Sequence, residues 1–152
     1  MWSYNTSVSQ WIRGSTWAVA ILEVIHLVGL IFLLGSVFMW SLRCFGLFME
    51  RDSVQGVARN LAPVTLTGFF LMSSTGYLIF SSGATRYVNS QPFHFKMFFF
   101  FLATLVQCMI YIMVLTNKND DRRSSPRWVV LGTLALLLWL SVGIAGRAIA
   151  FI

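Results

Sequence analysis

Four long apolar runs decide what this chain can fold into. They cover about Trp17–Leu42, Leu61–Phe80, Phe93–Leu115 and Trp128–Ile152, each near or above the roughly 20 residues that a helix needs to cross a bilayer. Composition agrees: 57% of the 152 residues are hydrophobic and 11% charged, far from the usual soluble balance. Three isolated prolines and no long polar segment leave room only for spans and short connections. The expected fold is therefore all-α, an integral membrane four-helix bundle forming one domain over residues 1–152.

The first sixteen residues are mixed and polar, with no apolar core before Trp17. No cleavable signal peptide is expected, and the first span doubles as an uncleaved targeting segment. The connections are a loop with Arg51 and Asp52, a loop around Gly83–Gln91, and a polar hairpin Asn117–Pro126. Pro92 suits the first turn of the third helix, and Pro63 suits the start of the second.

Eleven Lys and Arg against five Asp and Glu give a net charge of +6. Nucleic acid is rejected as a partner, because the basic residues sit at span ends, where topology and anionic headgroups account for them. Arg43, Arg51, Arg59, Lys118, Arg122, Arg123 and Arg127 lie at one side; Arg13, Arg86, Lys96 and Arg147 lie at the other. That asymmetry places the first and third loops in the cytoplasm and both termini on the outer side. Trp2, Trp11 and Trp17 fit an interfacial belt there, with a short surface helix over residues 7–14. Cys44 and Cys108 have no metal or disulfide spacing and read as packing residues.

Inside the first span, Glu23, His26 and Gly29 recur every three residues. On a helix they follow one side, each roughly 4.5 Å further along the axis. Ionisable residues in a span are costly and usually face a bundle interior or a cofactor. Glu23 lies six residues inside Trp17, and Arg147 five residues before the C-terminus. Their similar depth predicts an ion pair, read either as a staple between helices or as a carboxylate orienting an arginine.

His26 reads either as a neutral imidazole bonded to a neighbouring helix or as an axial ligand of haem, with Gly29 leaving space for the porphyrin face. His94, the other histidine, opens the third span on the same side, and Arg86, Lys96 and Arg147 supply cations for propionates. The depths of the two histidines disagree: His26 is nine residues below Trp17, roughly 13 Å, whereas His94 is within one turn of its helix start. Tilt, or a first helix that begins outside the hydrocarbon, closes part of that gap. Met72 and Met97 are the alternative second ligands.

Thr104, Gln107 and Tyr111 in the third span are expected to satisfy themselves by interhelical or backbone hydrogen bonds. Phe98–Phe101 point all round a helix, so some face lipid and the run is not read as an aromatic box. Gly68, Ser73, Ser74, Thr75, Gly76, Gly132, Gly143 and Gly146 permit close helix contact and homo-oligomer formation. No GxSxG, HExxH, P-loop or CxxC occurs, so familiar hydrolase, protease and nucleotide chemistries have no basis.

The stretch Ser15-Thr16-Trp17 followed by Glu23-Val24-Ile25-His26-Leu27-Val28-Gly29-Leu30 resembles the first span of an uncharacterised bacterial family of small four-helix inner-membrane proteins. The similarity continues through Ser41-Leu42-Arg43, Gly76-Tyr77, Tyr87-Val88-Asn89 and Phe93-His94-Phe95-Lys96 to Gly146-Arg147-Ala148-Ile149-Ala150-Phe151. Ser41 departs from it, since an acidic residue is expected before Leu-Arg. The resemblance implies the span count and marks Glu23, His26, Gly29, Lys96 and Arg147 as motif positions. It implies no activity. A looser similarity of the first span to copper-resistance membrane proteins keeps metal handling open.

The expectation from sequence is a small b-type cytochrome. His26 and His94 ligate one haem b near the periplasmic side, Arg147 with Lys96 or Arg86 binds propionates, and Glu23 positions Arg147. Electrons pass between the quinone pool or a membrane dehydrogenase and a redox partner. The alternatives are a copper-handling protein using His26 with Met72 or Met97, and a non-redox accessory subunit.

Overall fold

A computed structural model describes residues 14–83, 88, 90–116 and 125–149. It contains four long helices: α1 (Thr16–Cys44), α2 (Val54–Ser82), α3 (Gln91–Thr116) and α4 (Pro126–Ile149). All four are long and apolar enough to cross a membrane. The interfacial helix expected over residues 7–14 falls almost wholly, and Arg86 wholly, outside the described residues.

The helices run up and down around a ring. α1 packs most extensively on α2, α3 on α4 and α4 on α1, while α2 and α3 form the loosest neighbouring contact. Pairs such as Ser36 with Thr65 and Gln107 with Trp139 fix an antiparallel register. Below, the upper end is where α1 begins, α2 ends, α3 begins and α4 ends.

At the lower end, α1 stops in a Schellman arrangement. Leu47 N–H bonds the Leu42 carbonyl and Gly46 N–H bonds that of Arg43, both at 3.0 Å, with Gly46 at φ +72°; this left-handed position is one glycine occupies without a Cβ clash. Ser53 then caps α2, its Oγ accepting from Gly56 N–H at 2.9 Å, as an N-cap serine does for the third helical residue. Helix α2 therefore starts seven residues before the expected Leu61. The added turns, Val54–Asn60, are too polar for an apolar window, yet they bury Val54, Gln55, Val57 and Ala58. Pro63 lies inside α2 instead of opening it, so the Arg59 carbonyl has no N–H donor at that turn.

Burial is concentrated toward the lower half. Trp40 and Trp128 meet edge to face at 6.2 Å, Trp40 Nε1 donates to the Val54 carbonyl at 3.2 Å, and Arg43 is buried with its Nε donating to the Asp52 carbonyl at 2.8 Å. The first turns of α1 are the opposite case: Trp17 is 77% exposed and Ile21 57%.

Candidate functional site

The upper half of the bundle hinges on a backbone-to-backbone crossing of α1 and α2. A Cβ at Gly29 would lie 2.7 Å from Met72 N, and one at Gly68 would lie 2.6 Å from Leu33 N. Only hydrogen fits at either position. Gly29 is thus filled by helix α2, which corrects the expectation that it leaves room for a porphyrin face.

One turn above Gly29, His26 leans onto α2. Its Nδ1 lies 3.1 Å from Thr75 Oγ1, and a Cβ at Gly76 would come 3.1 Å from its Cε1. Thr75 has a single hydroxyl hydrogen, which goes to the backbone carbonyl of Leu71 at 2.5 Å or of Met72 at 3.3 Å. Its oxygen is therefore the acceptor and His26 Nδ1–H the donor. In the neutral ring this leaves the lone pair on Nε2. Holding one nitrogen by a hydrogen bond and freeing the other is how proteins prepare a ligating or proton-accepting imidazole.

Below this level three rings from three helices form a layer. Phe69 stacks on Phe100 (centroids 5.8 Å, planes 7° apart), and Trp139 meets both edge-on at 6.4 and 6.0 Å. Above it, Phe80 and Phe93 stack at 5.2 Å and 10°. On α2, residues 69, 73, 76 and 80 fall on one helical stripe, as do 93, 96 and 100 on α3. Ser73, Gly76 and Lys96 thus lie between the two aromatic layers. Lys96 is half-buried, and its chain lies along α4: a Cβ at Gly146 would sit 3.4 Å from Nζ and 3.5 Å from Cε. The ammonium is within electrostatic reach of His26. Among the described residues no carboxylate pairs with it; apart from Glu23, every acidic residue belongs in sequence to the segments 45–53 and 117–125.

A polar belt ties the four helices together beneath the aromatic layer. Trp139 Nε1–H donates to Gln107 Oε1 at 3.3 Å. The Tyr111 hydroxyl reaches Gln107 and Thr65, and Thr65 Oγ1–H donates to Ser36 Oγ at 2.8 Å. Ser36 in turn donates to the Leu33 carbonyl at 2.9 Å. The chain crosses the bundle sideways from α4 to α1 and does not run along it. Beside it is a cavity of about 10 Å³ lined by Ser36, Thr65, Gln107 and Tyr111. The interhelical bonding expected of Gln107 and Tyr111 is what forms, whereas Thr104 returns its hydrogen to the Phe100 carbonyl.

Other site residues lie elsewhere. Glu23 is exposed and makes no ion pair among the described residues, so the expected Glu23–Arg147 pair is absent there. The register explains why: Gly132 packs on Ser41 and Cys44, which sets Arg147 level with about Leu27, leaving Glu23 roughly 6 Å higher. Depth counted from sequence assumed that both helices begin at one surface, but α1 stands above α4. The same offset lowers His26 toward the first turns of α3 and so shrinks its expected depth difference from His94. His94 is nevertheless exposed, its Nδ1–H donating to the Ser90 carbonyl at 3.0 Å and its ring against Phe93. The groups that touch or electrically face His26 are Thr75, Gly76, Met72 and Lys96; the structure does not join the two histidines. Met72 is buried in the helix crossing and Met97 is exposed. Among the described residues no three His, Cys, Asp or Glu side chains gather as a metal site.

Set against known proteins, the chain matches no family model, no curated protein and no solved structure. What the fold and site define is a class: a four-helix membrane protein with an oriented imidazole and an inward ammonium in its upper half. Thr75, Gly76 and the Phe69–Phe100–Trp139 layer were missed as site residues. The sequence signal was present in the Ser-Ser-Thr-Gly run, which reads equally well as simple helix-packing residues.

Proposed function

We propose that this protein is a small b-type cytochrome of the membrane, with His26 as the firm axial ligand. The observation that carries the reading is the His26–Thr75 bond, which gives an interior imidazole a free Nε2 lone pair. The donor set fits haem b: a neutral imidazole, an aromatic layer beneath it, and Lys96 and Arg147 as cations for the propionates. Gly29 and Glu23 have no part in this site. His94 is the second ligand on chemistry alone, since its Nδ1 is also held by a carbonyl. Haem, when bound, would supply a one-electron couple; His26 would hold it, and the Phe69–Phe100–Trp139 layer would lie beneath.

The reading extends to electron transfer between the quinone pool or a membrane dehydrogenase and a redox partner. Seven of the eleven basic residues belong to the lower end, which supports a cytoplasmic lower end and an inner-membrane location for a bacterial protein. Similarity to the uncharacterised four-helix family is part of the same proposal. The test is an absorption spectrum of the detergent-purified protein, oxidised and reduced. A Soret band and a sharp reduced α-band, both lost in His26→Ala, are expected; a colourless preparation after haem-supplemented expression overturns the proposal.

A second reading, a non-redox accessory subunit, draws on the same bond, because His26–Thr75 also ties α1 to α2. In that case His26→Ala lowers stability and there is no spectrum to lose.

A further inference from the structure

Ser73 departs from the pattern of its neighbours. Ser74 donates to the Phe70 carbonyl, Thr75 to Leu71, Ser81 to Tyr77, Thr104 to Phe100 and Ser141 to Leu137. This return of the hydroxyl hydrogen to the preceding turn is the usual way such residues satisfy themselves in apolar helices. Ser73 Oγ, fully buried, has no hydrogen-bond partner among the described residues. A buried hydroxyl left so at membrane depth is costly and points to a group that completes it.

Its position narrows what that group is. Ser73 shares a helical stripe of α2 with Phe69 and Phe80, whose rings stack on Phe100 and Phe93 of α3; Lys96 lies between those two rings on α3, with its chain along α4. The α2–α3 seam is the loosest in the ring, bridged below by the Phe69–Phe100 stack and above by Phe80–Phe93. Between those stacks one donor hydroxyl and one ammonium lack a partner among the described residues. Ser73 lies nine residues before the end of α2, roughly 13 Å along its axis, at the level of the rings and away from the helix end where a lipid phosphate would sit. A flat apolar ring bearing carbonyl oxygens matches both the depth and the stacked walls.

We propose that Ser73 and Lys96 form a donor pair for a carbonyl oxygen of a membrane quinone, which enters from the lipid through the α2–α3 seam. The inference rests on the quinone-pool part of the reading above and does not need haem.

The test is equilibrium binding of a short-chain ubiquinone analogue to the full-length protein in detergent, read by tryptophan quenching, with a photoreactive quinone to map the site. Ser73→Ala and Lys96→Gln are each expected to weaken binding roughly five- to tenfold, and the photolabel is expected on residues 69–80 or 93–100. Ser74→Ala, whose hydroxyl is exposed and already bonded to Phe70, is expected to bind as the parent does. Unchanged affinity in a folded Ser73→Ala protein, or label confined to the lower end, overturns the proposal. So does a Lys96→Gln protein that loses anionic phospholipid while retaining quinone. Quinone binding without a Soret band removes the haem reading and keeps this one; a Soret band without quinone binding does the reverse.

Discussion

His26 Nδ1 lies 3.1 Å from Thr75 Oγ1, a contact that joins α1 to α2. With the threonine hydrogen on a backbone carbonyl, the 3.1 Å contact is made by Nδ1–H donating to Oγ1, and the Met72 backbone bonds the same ring. The bond orients the ring through a Thr-Gly pair in which the glycine accommodates it.

Removing the acceptor while keeping the shape separates orientation from packing. Thr75→Val is expected to weaken haem binding about 10–100-fold, the usual cost of losing the group that orients a ligating histidine. Thr75→Ser, which keeps the oxygen, stays near the parent. Haem titration followed at the Soret band reads the difference; equal affinity in Val and Ser variants would show that the bond does not set the ligand.

The helix crossing gives a second expectation, this time about stability. Gly29→Ala and Gly68→Ala each place a Cβ within 2.7 Å of backbone on the other helix, so the helices must separate, at about 1–3 kcal/mol or more. Gly35, two turns below Gly29 on the same helix, has nothing within 4 Å of its missing Cβ. Gly35→Ala is expected to be neutral or stabilising by up to about 1 kcal/mol. Reversible unfolding in mixed micelles checks the contrast, and a Gly29→Ala protein as stable as Gly35→Ala refutes the crossing.

The four spans were legible because length and apolarity alone specify them. The start of α2 was not, since Val54–Asn60 is polar and its helix is stabilised by the Ser53 cap and by contacts of Val54, Val57 and Ala58 made only in the fold. His26 was legible as an interior residue, but its partner was not: hydropathy does not say which of Ser73, Ser74 and Thr75 faces α1. Glu23–Arg147 failed because depth was counted from each span's own end, and the packing of Gly132 on Ser41 and Cys44 sets Glu23 about one turn above Arg147. The Phe98–Phe101 run behaved half as expected. Phe98 and Phe101 are exposed at 62% and 65%, while Phe100 joins the aromatic layer. At Ser41 the structure shows why a hydroxyl suits the position. Its Oγ lies between the carbonyls of Val37 (2.8 Å) and Gly132 (3.0 Å), a position for a donor, which a carboxylate is not.

The polar belt is the remaining element whose energetics can be tested apart from any cofactor. Gln107→Leu leaves Trp139 Nε1–H without its acceptor and takes a partner from Tyr111, so it is expected to cost about 1–3 kcal/mol. Trp139→Phe removes the donor but also opens space beside Phe69 and Phe100, so its cost mixes packing with hydrogen bonding. The double variant separates them. If the 3.3 Å bond couples α3 to α4, the pair is expected to interact by about 0.6 kcal/mol, the average for hydrogen bonds between membrane helices, and by no more than about 1.7 kcal/mol. Double-mutant-cycle unfolding in bicelles measures that coupling directly. Strict additivity would reduce Gln107 and Trp139 to neighbours and leave the aromatic layer held by ring packing alone.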